Sequence, residues 1–386
     1  MREVVVVDAV RTPFGKRNGG LSSMHSADLL GRALTGLLDR TGIDPITVDQ
    51  VIGGCVGQVG MQAANVTRTA WLAAGLPIEV AATTVDAQCG SSQQASSLAH
   101  GLIRSGLADI VIASGVEVMS RVPMGSTVPR DGSVGKAVNR NYWRHHEYTT
   151  QFEGAERLAD QWKISRADCD RFGKESQDRA ALAWEQGRFD SQLLPVDVPG
   201  SEDQPEHTVT RDEGLRATTL DALAALKPTG RPDGAHTAGT SSQIADGASA
   251  LLLMAADKAA EIGAEPLATL VDSCLVGSDP VLMLTGPIIA TQRLLTQNKL
   301  LMSDIDIVEI NEAFASVVLA WEREVKPDMA TVNPNGGAIA LGHPLGATGV
   351  ALIAKAVHEM VRSDSETALV TMCCGGGLGT GTLLRR

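Results

Sequence analysis

The feature that most limits the folds open to this chain is an order of elements that occurs twice. In the first half, Glu3–Val7 reads as a buried strand. Ser26–Gly42 carries Leu29, Leu30, Ala33, Leu34, Leu37 and Leu38 at the spacing of an amphipathic helix that stops at Gly42. Val48–Val56 reads as a strand, TRTAWLAAGL as a helix, AATTVDAQ as extended, SSQQASSLAHGLIRSG as a helix and ADIVIASGV as a strand. After residue 265 the order returns. PLATLVDSCLVG is a strand, TGPIIATQRLLTQNKL a helix, DIDIVEIN a strand, ASVVLAWERE a helix and DMATVNPNGG extended. GHPLGATGVALIAKAVHEMV is then a helix and TALVTMCCGGG a closing strand. This alternation predicts a largely parallel sheet faced by helices in each half, and two similar α/β units about a pseudo-twofold. A ligand site then belongs between them, at strand C-termini. The 40 glycines and an aromatic content of only 3% suit closely packed layers with tight turns.

The predicted boundaries are 1–118 for the first unit, completed by about 249–265, and 266–386 for the second. Between them, 119–248 breaks the pattern with Trp143, Trp162, Trp184, several prolines and a run, GSEDQPEHTVTRDEG, of solvated-loop character. A long insertion beside a central site is either a lid or a flexible decoration.

A net charge of −12 argues against a nucleic-acid surface. The longest apolar runs, such as ALLLMAA, fall well short of the ~20 residues of a membrane span. The start, MREVVVVDAVRTP, has no secretory pattern, so a cytoplasmic protein is expected. Six cysteines without a CxxC pair leave zinc and thioredoxin-type chemistry unsupported, and free thiols are expected. Any one of them is by default a small buried hydrophobe.

Context changes that reading for Cys89. It stands where an extended run meets a helix pattern, with Ala95, Leu98, Ala99, Leu102 and Ile103 on one face. There the helix N-terminus and its free N–H groups favour thiolate. His343 sits in NGGAIALGHPLGATG at the equivalent joint of the second repeat, so the pseudo-symmetry brings a histidine to the cysteine, an arrangement that activates nucleophiles. TMCCGGGLGTG puts Cys373, Cys374 and glycine N–H groups beside the same crevice, either as an oxyanion site or as a glycine turn with buried thiols. Asn311, in EINEAFAS, is at another strand tip, as a helix cap or as the holder of a water or substrate oxygen.

Together these segments resemble the thiolase family over nearly the whole chain. The resemblance rests on VDAVRTPFGK, CGSS around Cys89, SRVP after GVEVM, HTAGTSSQIADGAS (His236–Ser249), NEAF (Asn311–Phe314), GHP (Gly342–Pro344) and the CxGGG-type stretch Cys373–Gly377. It implies an α/β thiolase fold: two repeated βαβαβ-type halves with mixed sheets, layered α-β-α-β-α, plus a loop domain that binds CoA. It implies an acyltransferase that cleaves a 3-ketoacyl-CoA with CoA, or runs the reverse condensation. Cys89 matches the nucleophile that carries the acyl group, His343 its activating base and an oxyanion donor, and Cys373 the acid/base. Asn311 matches the holder of a water in the first oxyanion hole, and the N–H groups of Cys89 and Gly375 form the second. Ser242 matches a pantetheine contact, and Arg216 lies near the adenosine phosphates. Coenzyme A is a substrate, no metal or other cofactor is implied, and a homodimer or homotetramer is.

Two stretches depart from the commoner pattern. EYTTQFEGAERLA (Glu147–Ala159) stands where a Met-Gly…Thr-Ala-Glu segment is usual, and SSQQA follows Cys89-Gly90 in place of a Ser-Gly-Leu-Lys-Ala type. In these the chain resembles thiolases acting on bulky side chains, such as those of steroids, more than short-chain biosynthetic ones. A ketosynthase-like condensing enzyme would pair its cysteine with two histidines, or a histidine and an asparagine; here the third partner is Cys373. A non-catalytic acyl-CoA-binding subunit should have lost Cys89, His343 or Cys373, and all three are present.

Overall fold

Strand alternation sorts the core into three layers. The computed structural model describes residues 2–128, 131, 133, 135–200 and 205–386. In the first half, β1 (Val4–Arg11), β3 (Gln50–Gly54), β4 (Ala81–Val85), β5 (Ile110–Val118) and β8 (Ala245–Ala255) form a sheet in the order β1-β8-β5-β3-β4, with the short β2 (Gly15–Lys16) against β8. In the second half, β9 (Ala268–Gly277), β10 (Ile307–Ile310), β11 (Thr367–Cys374) and β12 (Leu378–Arg385) follow the order β9-β12-β11-β10, and Val332 adds a parallel bridge outside β10. The two orders match position by position, and the halves meet where β1 and β9 pair at Val5–Thr269 and Val6–Ala268.

Each sheet is mixed rather than largely parallel. β3 is parallel to β4 and β5, and β10 to β11, but β8 and β12 run antiparallel to their neighbours. An alternation of strand and helix implies parallel strands only where every connection is a helical crossover. β12 returns from β11 through the glycine turn 375–377, and a tight turn can join only antiparallel strands. DMATVNPNGG also contributes one bridge rather than a strand, since Asn333 turns into a left-handed conformation (φ 46°) ahead of Pro334.

Helices α1 (Ser26–Thr41) and α2 (Val66–Ala73) cover one face of the first sheet, with Ile110, Ile112, Leu252 and Met254 beneath them. The opposite residues, Val111, Ala113, Leu251 and Leu253, face a central layer made of α3 (Ser91–Ser105) and α11 (Leu345–Ser363). Ala368, Val370 and Met372 of β11 close that layer from the other side. Leu369 and Cys373 face outward, where α8 (Gly286–Asn298) and α9 (Ala315–Val325) complete an α-β-α-β-α stack. The outer layers each bury a tryptophan whose indole N–H is satisfied: Trp71 donates to the Pro77 carbonyl (2.7 Å) and Trp321 to the Thr291 hydroxyl (2.9 Å).

The described residues of the insertion carry helices and strands of their own. α4 (Gln151–Gln161) packs on α9, and α5 (Arg166–Glu185) on both α9 and the short α10 (Ala338–Leu341). Within GSEDQPEHTVTRDEG, residues 201–204 lie outside the described residues. His207–Val209 (β7) pairs with Val196–Val198 (β6) rather than looping freely. The fully buried Arg11 fastens this region to β1. Its guanidinium donates to both carboxylate oxygens of Asp212 (2.7 and 2.9 Å) and to Gln192 (2.9 Å). Among the described residues the segment is therefore anchored to the first sheet. Two short helices, α6 (Leu220–Ala224) and α7 (Ala256–Ile262), flank the return to β8 and the passage to β9.

Candidate active site

Cys89 stands between β4 and α3. Gln88 takes a left-handed conformation (φ 53°), fixed by its N–H donating to Asp86 Oδ1 (2.7 Å), and the chain turns sharply into the helix. The turn leaves Cys89 in the wall of a cavity of about 200 Å³, opposite His343 and beside Ser242, Phe152 and Phe314. Burial pushes the Cys89 thiol up to about 11, while the N–H groups of Gly375 and of Cys89 itself donate to the sulfur and pull the other way.

His343 enters from the second half. Its N–H donates to the Gln243 carbonyl (3.0 Å), and the preceding Gly342 has φ 111°, which a side chain would resist. Burial alone draws the imidazole down to about 4, so it is neutral at pH 7. The Thr348 hydroxyl donates to the Pro344 carbonyl (2.8 Å) and lies 2.7 Å from His343 Nδ1. With the hydroxyl proton so used, Nδ1 carries the imidazole proton and Nε2 presents a lone pair. Asn311 Nδ2 approaches that Nε2 at 3.4 Å, and the buried Asn311 Oδ1 has no partner among the described residues. Glu117 holds the same turn from below. Its carboxylate accepts from the N–H groups of Gly346, Val56 and Gly57 and from the Gln62 amide, tying the His343 loop to the first half.

The two adjacent cysteines of β11 point to opposite faces. Cys374 packs against Gly90 under the Cys89 turn, and its thiol donates to the Met372 carbonyl (3.9 Å); Cys373 makes no side-chain hydrogen bond among the described residues. Burial raises both thiols, and the Cys89 sulfur raises each further, so proximity alone does not separate them. Hydrogen bonding does: Cys374 is tied into the structure and Cys373 is not.

Of the expected binding residues, Ser242 lines the Cys89 cavity, and its N–H donates to Ala313, stitching its loop to the NEAF loop. Arg216 is exposed outside that cavity, with its guanidinium toward the carbonyl of Ala238, a lining residue. Glu312 is structural: buried, it accepts from Ser176, Asn333 and the Ile339 N–H. A second cavity, of about 900 Å³, adjoins Gln88 and Gly375 and is walled by Met124, Tyr142, Tyr148, Phe152 and Met283. Thr348, Glu117 and, in this wall, Met124, Tyr142 and Met283 were not singled out from the sequence, whereas Tyr148 and Phe152 belong to the stretch Glu147–Ala159 that was. Thr348 lies inside the glycine-rich run already noted, but its role depends on a contact five residues back.

Known proteins match this chain along its whole length. The N-terminal thiolase domain family matches residues 4–257 and the C-terminal thiolase domain family residues 264–386. The chain is 45% identical to a steroid 3-ketoacyl-CoA thiolase of Mycobacterium tuberculosis over all of this chain and 95% of the other. It is 39% identical to a β-ketoadipyl-CoA thiolase of Acinetobacter baylyi over the full length of both. The crystal structure of the Bacillus anthracis acetyl-CoA acetyltransferase superposes with a TM-score of 0.92 at 36% identity, covering 100% of this chain and 99% of that one.

Proposed function

The chain belongs to the thiolase family and is an acetyl-CoA C-acyltransferase, and on that premise we propose that Cys89 carries the acyl group, with His343 as its base and Cys373 as the acid/base. The reaction is thiolytic cleavage of a 3-ketoacyl-CoA to acetyl-CoA and a shortened acyl-CoA, or its reversal. Burial penalises either charge alone, so the resting pair is a thiol and a neutral imidazole. On substrate binding the Cys89 proton passes to His343 Nε2, and the thiolate attacks the 3-keto carbon. Protonated Nε2, beside Asn311, then donates to the oxyanion. As the oxyanion collapses, the C2–C3 bond breaks, its electron pair forms the acetyl-CoA enolate, and the Cys373 thiol protonates C2. The resulting Cys373 thiolate takes the proton of an incoming CoA thiol. The CoA sulfur attacks the Cys89 thioester, the N–H groups of Cys89 and Gly375 hold that second oxyanion, and acyl-CoA leaves as the Cys89 thiolate returns. Ser242 and Arg216 serve the pantetheine and phosphate ends of CoA.

The cavity beside Gln88 supports a bulky, neutral acyl group. Its size and its Tyr142, Tyr148 and Phe152 wall suit an alicyclic group such as a steroid side-chain fragment, in degradative lipid metabolism. A dicarboxylic acyl group, as in β-ketoadipyl-CoA, would need a cation for its far carboxylate. Asp86 is the one charged side chain in that lining among the described residues. The open edge of β4, where Ala81 and Thr83 are exposed and Ile78 nearby is 71% exposed, supports a homo-oligomer. Six free thiols suit a reducing cytoplasm.

The carrying observation is that Cys89, ahead of α3, and His343, ahead of α11, line one cavity together with Ser242. The test is brief exposure to acetyl-CoA or to a bulky alicyclic acyl-CoA, without free CoA, followed by intact mass and peptide mapping. The expected result is an acyl adduct on the Cys89 peptide, forming faster from the bulky donor. No adduct from either donor would sink the nucleophile assignment, and faster labelling by acetyl-CoA would sink the substrate class.

A further inference from the structure

Three consecutive residues after the Cys89 turn each fasten a different neighbour. The Ser91 hydroxyl accepts from the Ala87 N–H (3.0 Å) and donates to the Gln88 carbonyl (2.6 Å), fixing the turn. The Ser92 hydroxyl accepts from the Val350 N–H (3.0 Å), fixing the helix that follows His343. Gln93 is fully buried, and both ends of its amide are spent on one hairpin. Nε2 donates to the Val370 carbonyl of β11 (3.0 Å) and the Thr382 hydroxyl of β12 (2.9 Å), and Oε1 accepts from the Thr380 hydroxyl (2.5 Å).

This is the stretch that departs from the commoner Ser-Gly-Leu-Lys-Ala type. A leucine would fill the volume but could hold none of these groups. A buried carboxamide is costly unless satisfied, so the amide is favoured only with the hairpin in one position. Val370 is three residues from Cys373, and Thr380 pairs across the hairpin with Met372. The grip therefore falls on the strand ends that carry Cys373 and lead into Gly375.

We propose that Gln93 is a positioning residue, clamping the β11–β12 hairpin so that Cys373 and the Gly375 N–H stand in register with Cys89. The role rests on the assignment of Cys89 and Cys373 given above. Misplacing a reacting group by about 1 Å can cost about 10²-fold in rate, so losing the clamp lowers kcat while the CoA contacts keep KM.

Two variants test it: Gln93→Leu, and the triple variant Gln93→Leu/Thr380→Val/Thr382→Val, which also removes the hydroxyls that the single variant orphans. Tm, kcat, KM and the pH midpoint for alkylation of Cys89 by iodoacetamide are measured for each. The expected result is a kcat at least about tenfold lower, a KM within about threefold of wild type, and a Cys89 midpoint about half a pH unit or more higher as the Gly375 N–H leaves the sulfur. The triple variant regains Tm but not kcat. An unshifted midpoint in a folded variant overturns the proposal, whatever happens to Tm, because it leaves Gln93 as packing. If Cys89 of the wild-type protein takes no acyl group, the assignment beneath fails instead; if it does and the variants titrate like wild type, only the positioning role falls.

Discussion

Adjacent residues on a strand face opposite ways, and this gives Cys373 and Cys374 different chemistry. Cys374 packs against Gly90 and donates to the Met372 carbonyl, whereas Cys373 makes no side-chain hydrogen bond among the described residues. Cys373→Ser should lower kcat for thiolysis by about 10²–10³-fold, and Cys374→Ser should keep it within about threefold; steady-state assays of both variants decide. A dead Cys374→Ser with an active Cys373→Ser would reverse the assignment. At this scale the sequence was informative where glycines and prolines broke the pattern: Cys89-Gly90, Gly342-His343-Pro344 and Cys373 ahead of its glycines all mark themselves. Thr348 and Glu117 carry no such mark. Their importance comes from a 2.7 Å contact to an imidazole and from four converging N–H donors, and both exist only after folding.

Between elements, the decisive contact is the crossing of α3 and α11. A Cβ placed on Gly349 would lie 2.3 Å from the Gln93 backbone nitrogen and 2.9 Å from its Cα, where no flexible side chain can yield. Gly349→Ala should therefore destabilise the protein by about 3 kcal/mol, read as a lower denaturant midpoint, and should slow acylation of Cys89 because His343 rides on α11. A Gly349→Ala protein as stable and as fast as wild type would show that the helices can separate at no cost. Helices α1, α3, α8, α9 and α11 were legible because their apolar residues recur at helical spacing. The strands β8 and β12 were not placed because a uniformly buried strand such as ADGASALLLMA carries no alternation to read.

For the molecule as a whole, burial of histidine couples stability to pH. His100, in the central layer beside Ser273, is drawn down to about 4 by burial, with Arg104 adding to the effect. Unfolded, it titrates near 6.5. Between those values the unfolded chain binds a proton that the native state refuses, so stability falls as pH falls. The cost is about 2 kcal/mol by pH 5. Chemical denaturation at pH 7 and pH 5 should show wild type losing about that much more than His100→Gln; equal losses would mean that the native fold accepts the proton. The two-unit architecture was readable from element order alone. Its mixed sheets were not, because direction depends on whether a connection is a helix or a turn.

The pairing of β1 with β9 is only two residues wide, yet the inner faces of both sheets rest on α3 and α11 together. Each half lends the other one helix of a shared layer. Cut between α7 and β9, either piece would keep an outer layer and leave the inner face of its sheet half-covered. The repeat is thus visible in the chain but not separable from it: the units behave as two hands of one clasp, and the bond-making groups lie where the fingers cross.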